Sequence, residues 1–193
     1  PTLARDPAAL RVVMPIKITV FGGSQPKPGE QDYQQAYYLG SLIGQSGYTV
    51  LTGGYIGAME AVSRGAAEAG GHVIGVTCDE IEAWRPVKPN HWLTEEIRFP
   101  TLRQRLFGLV DNCDAALALP GGVGTLTEIS LMWNLLLTSA IRPRPLITIG
   151  VGWQAVINQL YINNASYIPL AQRQYLLQAP NVATAFRQLQ EML

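Results

Sequence analysis

The run Ala115-Ala116-Leu117-Ala118-Leu119 passes directly into Pro120-Gly121-Gly122-Val123-Gly124-Thr125. Five apolar residues bounded by turn signals read as a buried strand. Residues 124–139 read as a helix, so the segment is a strand, a sharp glycine turn and a helix. The same unit recurs on either side. Residues 16–21 form a strand that stops at Gly22-Gly23, and residues 31–46 form a helix that Gly47 ends. Residues 48–51 are a strand closed by Gly53-Gly54, followed by a helix over 57–69. Gly70-Gly71 breaks that helix before a strand at 72–77. Residues 145–149 read as a strand, and 153–162 and 182–192 as helices. Strands alternating with helices predict an α/β fold: a single doubly wound, Rossmann-like parallel sheet with helices on both faces. Ligands in such sheets lie beyond the carboxyl ends of the strands, where the strand order reverses.

Two stretches fall outside that rhythm. Residues 78–94, with Trp84, Pro86 and Pro89, keep no steady period and read as a long loop. Residues 100–112 read as a helix opened by Pro100. Residues 1–15 are expected to be an N-terminal extension, with Met14-Pro15 a candidate internal start, and 16–193 one nucleotide-binding domain.

Composition removes several function classes. Lys+Arg and Asp+Glu are both 14, so the net charge is zero. That points away from nucleic acid and from a polybasic membrane contact. Hydrophobic residues are 48% and charged residues 15%, too apolar for disorder and sparse enough in charge to suggest a buried oligomer face. No run reaches the roughly 18 apolar residues of a membrane span. Cys78 and Cys113 form neither a CxxC pair nor a disulfide framework, and a reduced cytoplasmic setting is expected. With only His72 and His91, a histidine metal site or triad is not expected, and no cofactor is called for. The only lysines are Lys17, Lys27 and Lys88, none on an element aimed at the glycine turns, which argues against a pyridoxal-phosphate decarboxylase.

The chemistry concentrates in the turns. Gly121, Gly122 and Gly124 can take positive φ and let backbone amides approach a ligand, and Thr125 adds a hydroxyl. A helix N-terminus exposes unpaired N–H donors and suits a phosphate. The plainer alternative is a tight turn with no ligand. Glu128 lies one helical turn on, on the face of Thr125. By itself it would read as an acid complementing the helix dipole. Gly53-Gly54-x-x-Gly57 lacks the GxGxxG spacing of a dinucleotide fingerprint, and no GK[ST] exists. Arg103 and Arg105, on the helix before the strand at 115–119, are either surface ion-pair partners or a guanidinium fork for phosphate or ribose oxygens.

Pro120-Gly121-Gly122-Val123-Gly124-Thr125-Leu126-Thr127-Glu128 resembles the PGGxGTxxE signature of the LOG (Lonely Guy) family, whose members are often mislabelled lysine decarboxylases. The other landmarks fall in that family's order: Phe21-Gly22-Gly23-Ser24, then Gly53-Gly54-x-x-Gly57-x-Met59, then the arginine helix. The resemblance covers roughly residues 16–160. It implies hydrolysis of the N-glycosidic bond of a nucleoside 5′-monophosphate, AMP or a cytokinin nucleotide, giving free base and ribose 5-phosphate. It implies that Glu128 and Arg105 are catalytic and that the amides of Gly121, Gly122, Gly124 and Thr125 hold the phosphate. Gly23, Ser24, Gly53, Gly54, Gly57, Met59 and Arg103 would line the nucleotide site. It also implies a homodimer. The chain departs from the family pattern at Leu106, where lysine is usual, at Glu60 in the second motif, and at Thr127, where an acid is frequent. The scaffold is also similar to that of molybdenum-cofactor carriers, so a non-catalytic binder is the alternative.

Overall fold

The computed structural model describes residues 15–193; apart from Pro15, the expected extension at residues 1–15 lies outside them. The elements in chain order are β1 (Lys17–Phe21), α1 (Gln31–Gln45), β2 (Thr49–Thr52), α2 (Ala58–Glu68), β3 (Val73–Cys78), α3 (Asp79–Trp84), β4 (Glu95–Phe99), α4 (Leu102–Asp111), β5 (Ala115–Ala118), α5 (Val123–Leu137), β6 (Leu146–Ile149), α6 (Val151–Asn163), α7 (Leu170–Arg173), β7 (Leu177–Ala179) and α8 (Val182–Met192). The strands form one sheet in the order β4-β3-β2-β1-β5-β6-β7, and every neighbouring pair is parallel.

A strand buried on both faces sends alternate side chains to opposite cores. In β5, Ala115 and Leu117 face one core, and Ala116 and Ala118 the other. The first core is closed by α1, α2 and α8 through Leu39, Ile43, Val62, Phe186 and Leu189. The second is closed by α4, α5 and α6 through Leu109, Ile129, Met132, Trp133, Trp153 and Ile157. Helices therefore cover both faces, as the alternation of strands and helices predicts.

α1 and α2 touch backbone to backbone. A methyl group at Gly40 would overlap the Val62 carbonyl, and one at Gly65 the Tyr37 carbonyl. Each glycine is there because no side chain fits between the helices.

The stretch at 78–94 departs from the expectation of a structureless loop. Its first six residues after Cys78 are α3, and the rest is tied down by Asn90. The Asn90 side chain donates to the carbonyls of Gly54 (3.1 Å) and Tyr55 (3.0 Å), and its amide to Gly54 O (2.8 Å). β4 follows as an edge strand. Its sequence, Glu95-Glu96-Ile97-Arg98-Phe99, carries three exposed charges, as edge strands do. The next helix begins after Thr101, not at Pro100. The Thr101 hydroxyl caps it by accepting from the Gln104 amide (3.3 Å).

The apolar face of α5 is largely covered within the chain. Met132, Trp133 and Leu136 are buried, and Trp133 packs edge-on against Tyr161 with ring centroids 6.0 Å apart. Exposed large apolar side chains include Val151, Val156 and Ile162 of α6 and Tyr167 and Leu170 beyond it, besides Trp84 and Val123.

Candidate functional site

Chain connections leave β1 towards β2 and leave β5 towards β6, on opposite sides of the sheet. The gap between the carboxyl ends of β1 and β5 is thus the point where the order reverses. A cavity of about 770 Å³ opens there. That volume suits a nucleotide-sized ligand, since small-molecule sites run from about 300 to 1,000 Å³. Its walls carry the turn after β1 (residues 22–27), the turn after β5 (residues 120–125), Glu128 and Arg105.

The two turns are fitted to each other. The Gly23 amide donates to the Pro120 carbonyl (3.0 Å), and the Ala58 amide to the Gly23 carbonyl (2.9 Å). A side chain at Gly121 would strike Thr125 and crowd Gly23. Gly122 and Gly124 would meet nothing within 4 Å, so their bareness opens the amides of the first turn of α5 to the cavity. None of the three adopts positive φ, contrary to the expectation from sequence. What the turn requires is access and close approach.

Glu128 is 8% exposed and lies on the cavity wall. It is flanked by Ile129 and, across the site, by Arg105, whose Nη1 is 3.9 Å from its Oε1. Among the described residues no group donates a hydrogen bond to it. Burial pushes its pKa from the ordinary 4.5 up to about 7, and the Arg105 charge holds it from rising further. A carboxyl poised near neutrality in a cleft is of the kind that active sites carry.

Arg105 comes from α4, which packs beneath β3, and is 5% exposed. Its Nε donates to the Val76 carbonyl (2.7 Å) and its Nη2 to the Gly53 carbonyl (3.2 Å). Two of its three nitrogens are therefore held by backbone, and Nη1 turns towards Glu128. The second glycine turn makes this possible. A side chain at Gly53 would overlap the guanidinium and the Met59 sulfur. Gly54 and Gly57 sit at φ 80° and 77°, and Gly57 packs against the backbone of Ser24. Met59 reaches the cavity, while Gly53, Gly54 and Gly57 lie behind its wall as supports. Arg103 is exposed and is not part of the lining.

The segment read as a loop contributes residues that the sequence did not single out. Ile81, Trp84 and Arg85 line the cavity, as do Lys27 and Glu30 ahead of α1 and Asp32 in its first turn. Tyr55 closes the floor, its hydroxyl accepting from the Cys78 amide (2.9 Å) and donating to the Cys78 carbonyl (3.0 Å). Among the described residues no group of three or more His, Cys, Asp or Glu is placed to hold a metal ion. No helix among them is long and apolar enough to cross a membrane.

Comparison with known proteins places this geometry in context. The chain is 35% identical over 123 residues to a cytokinin riboside 5′-monophosphate phosphoribohydrolase of Rhodococcoides fascians, covering 62% of each protein. It is 32% identical over 161 residues to a pyrimidine/purine nucleotide 5′-monophosphate nucleosidase of Escherichia coli (strain K12), covering 77% of this chain and 34% of that protein. The chain thus spans less than two thirds of the length of either relative. Among solved structures, the molybdenum cofactor binding protein of Rippkaea orientalis has the same fold, with a TM-score of 0.73 and 24% identity over 93% of this chain and 98% of its own. Residues 15–142 match one family throughout, a stretch that runs from β1 past the end of α5 and so includes both turns, Arg105 and Glu128: the chain belongs to the SLOG cluster4 family.

Proposed function

We propose that the protein hydrolyses the N-glycosidic bond of a nucleoside 5′-monophosphate, releasing the base and ribose 5-phosphate. The observation that carries this reading is a buried carboxyl, Glu128, facing the same cavity as the open amides of α5. The names of the two relatives above support the substrate class.

The mechanism follows from the placement. The amides at residues 122–125, with the partial positive charge of the α5 N-terminus, take the phosphate dianion. Binding energy at that remote end presses the ribose against Glu128. As the C1′–N bond breaks, its electron pair leaves on the base and positive charge builds on the sugar ring. The Glu128 carboxylate stabilises that charge and activates water or attacks C1′ itself. Water supplies a hydroxyl to C1′ and the remaining proton ends on the base. Arg105 fixes the direction of Glu128 and keeps a fraction of it ionised at neutral pH.

The test is incubation with AMP, CMP, GMP, UMP and a cytokinin riboside 5′-monophosphate, followed by chromatography for free base. Base and ribose 5-phosphate in equal amounts support the reading. Tight binding with no base release overturns it in favour of a carrier. The working form is a homodimer, and the exposed apolar residues of α6 are its contact surface. The setting is the cytoplasm, in keeping with two buried, unpaired cysteines.

A further inference from the structure

Arg85 follows α3 directly and reaches back over the cavity. Its Nη1 donates to the Ser24 hydroxyl (3.3 Å) on the turn after β1. Its Nε is enclosed, with no acceptor in reach. Among the described residues no carboxylate lies within ion-pair distance of it. The guanidinium stands over the Trp84 ring at 5.6 Å, and both residues line the cavity. An arginine has five donors in a rigid fork, and an enclosed charged donor without a partner is costly. Arg105 cannot serve as a free fork, because the carbonyls of Val76 and Gly53 already hold it.

The turn that Arg85 touches is the one that packs on the phosphate turn. Ser24 follows Gly23, whose amide is bonded to the Pro120 carbonyl. A cation at Ser24 and the open amides of α5 thus border one cavity from two sides. Guanidinium nitrogens pair with the oxygens of a phosphate monoester in bidentate fashion, and the enclosed Nε gains a partner when the side chain turns towards the ligand.

We propose that Arg85 is the side-chain arm of the phosphate clamp, closing on the phosphate monoester opposite the α5 amides and so selecting phosphorylated over unphosphorylated ligands. This rests on the reading of the cavity as a nucleotide site, but not on hydrolysis. A short helix and the segment after it, outside the glycine signature, then set phosphate selectivity.

The experiment is calorimetric titration of the full chain with ribose 5-phosphate and with ribose, for the wild type, Arg85→Ala and Arg85→Lys. Thermal melting runs in parallel. The wild type is expected to bind ribose 5-phosphate and not ribose. Arg85→Ala is expected to lose about 10- to 100-fold in affinity for the phosphate ester, with Arg85→Lys intermediate, the usual range for removal of a hydrogen bond to a charged group. Melting temperatures should stay close to wild type, because among the described residues Arg85 forms no ion pair and its one side-chain hydrogen bond, to Ser24, is long at 3.3 Å. Undiminished binding in Arg85→Ala would overturn the inference, as would a wild type that binds ribose 5-phosphate no better than ribose. Should Arg85→Ala melt early, Arg85→Lys decides: wild-type affinity there removes the fork, and a loss upholds it. Hydrolysis is scored separately. Arg85-dependent binding without base release keeps the clamp and sinks the hydrolase. Base release with Arg85-independent binding does the reverse.

Discussion

At the scale of single residues, the site turns on the Glu128 carboxyl and its Arg105 neighbour. Glu128→Gln keeps the shape and removes the ionisable group. Base release is expected to fall by about 10²–10⁴-fold with AMP affinity retained, read from steady-state kinetics and titration. The stability of the same variant reports the pKa. A carboxyl raised from 4.5 to about 7 in the folded state favours folding below pH 4.5 and loses that contribution as pH rises through 7. The shift corresponds to on the order of 3 kcal/mol. Glu128→Gln should therefore gain stability on the wild type between pH 5 and pH 8, in denaturant midpoints taken across that range. A flat difference would mean that Glu128 is not buried as described. Turnover needs the ionised form, so the wild-type rate should climb with pH through about 7. Arg105→Lys removes the guanidinium geometry that restrains the shift, and the midpoint of that climb should move upward. Glu128 stood out as a candidate only through the glycine turn and the signature before it, since its spacing to Thr125 alone fits a helix-dipole acid. The backbone grip on Arg105 was not, because it depends on carbonyls of β3 and the second glycine turn, far apart in the chain.

Among elements, the turn into α5 makes two glycines do different work. Gly121→Ala drives a methyl into Thr125 and Gly23 and should destabilise the fold. Gly122→Ala points a methyl into open space. It should leave the melting temperature nearly unchanged and raise KM for the nucleotide by crowding the amides. If Gly122→Ala neither melts early nor weakens binding, the phosphate does not sit on those amides. The central strands were legible because each is a short apolar run closed by glycines. The strands at the sheet edges were not. Glu95–Phe99 carries three exposed charges, and Leu177–Ala179 is only three residues long. α3 was hidden for a related reason. Its six residues are too few for a period, and Pro86 follows closely. The sequence therefore pointed to the glycine side of the cavity and missed the side that Trp84 and Arg85 supply.

For the whole molecule, the proposed dimer rests on exposed apolar side chains of α6 and the segment after it. Val151 is 74% exposed, Ile162 70% and Tyr167 81%, on a chain with few charges to offset them. Exposed apolar side chains are the material of association surfaces. Sedimentation should show a dimer, and Val156→Asp with Leu160→Asp should shift it to monomer. A wild type that sediments as a monomer at micromolar concentration would remove α6 as the contact.

The glycine contact between α1 and α2 bears on how the cleft survives heat and exchange. At Gly40 and Gly65 those helices meet through main-chain atoms, with no rotamers to reshuffle there, and Tyr37 bridges to Glu68 beside them. The pair can separate only by opening as one piece, taking the turns after β1 and β2 with it. Amide deuteration along α1 and α2 should accordingly be slow and concerted, while α3, six residues with no buried side chain, should exchange early. The rigid wall of the cleft would then be the glycine wall, and the adjustable one the side that bears Arg85.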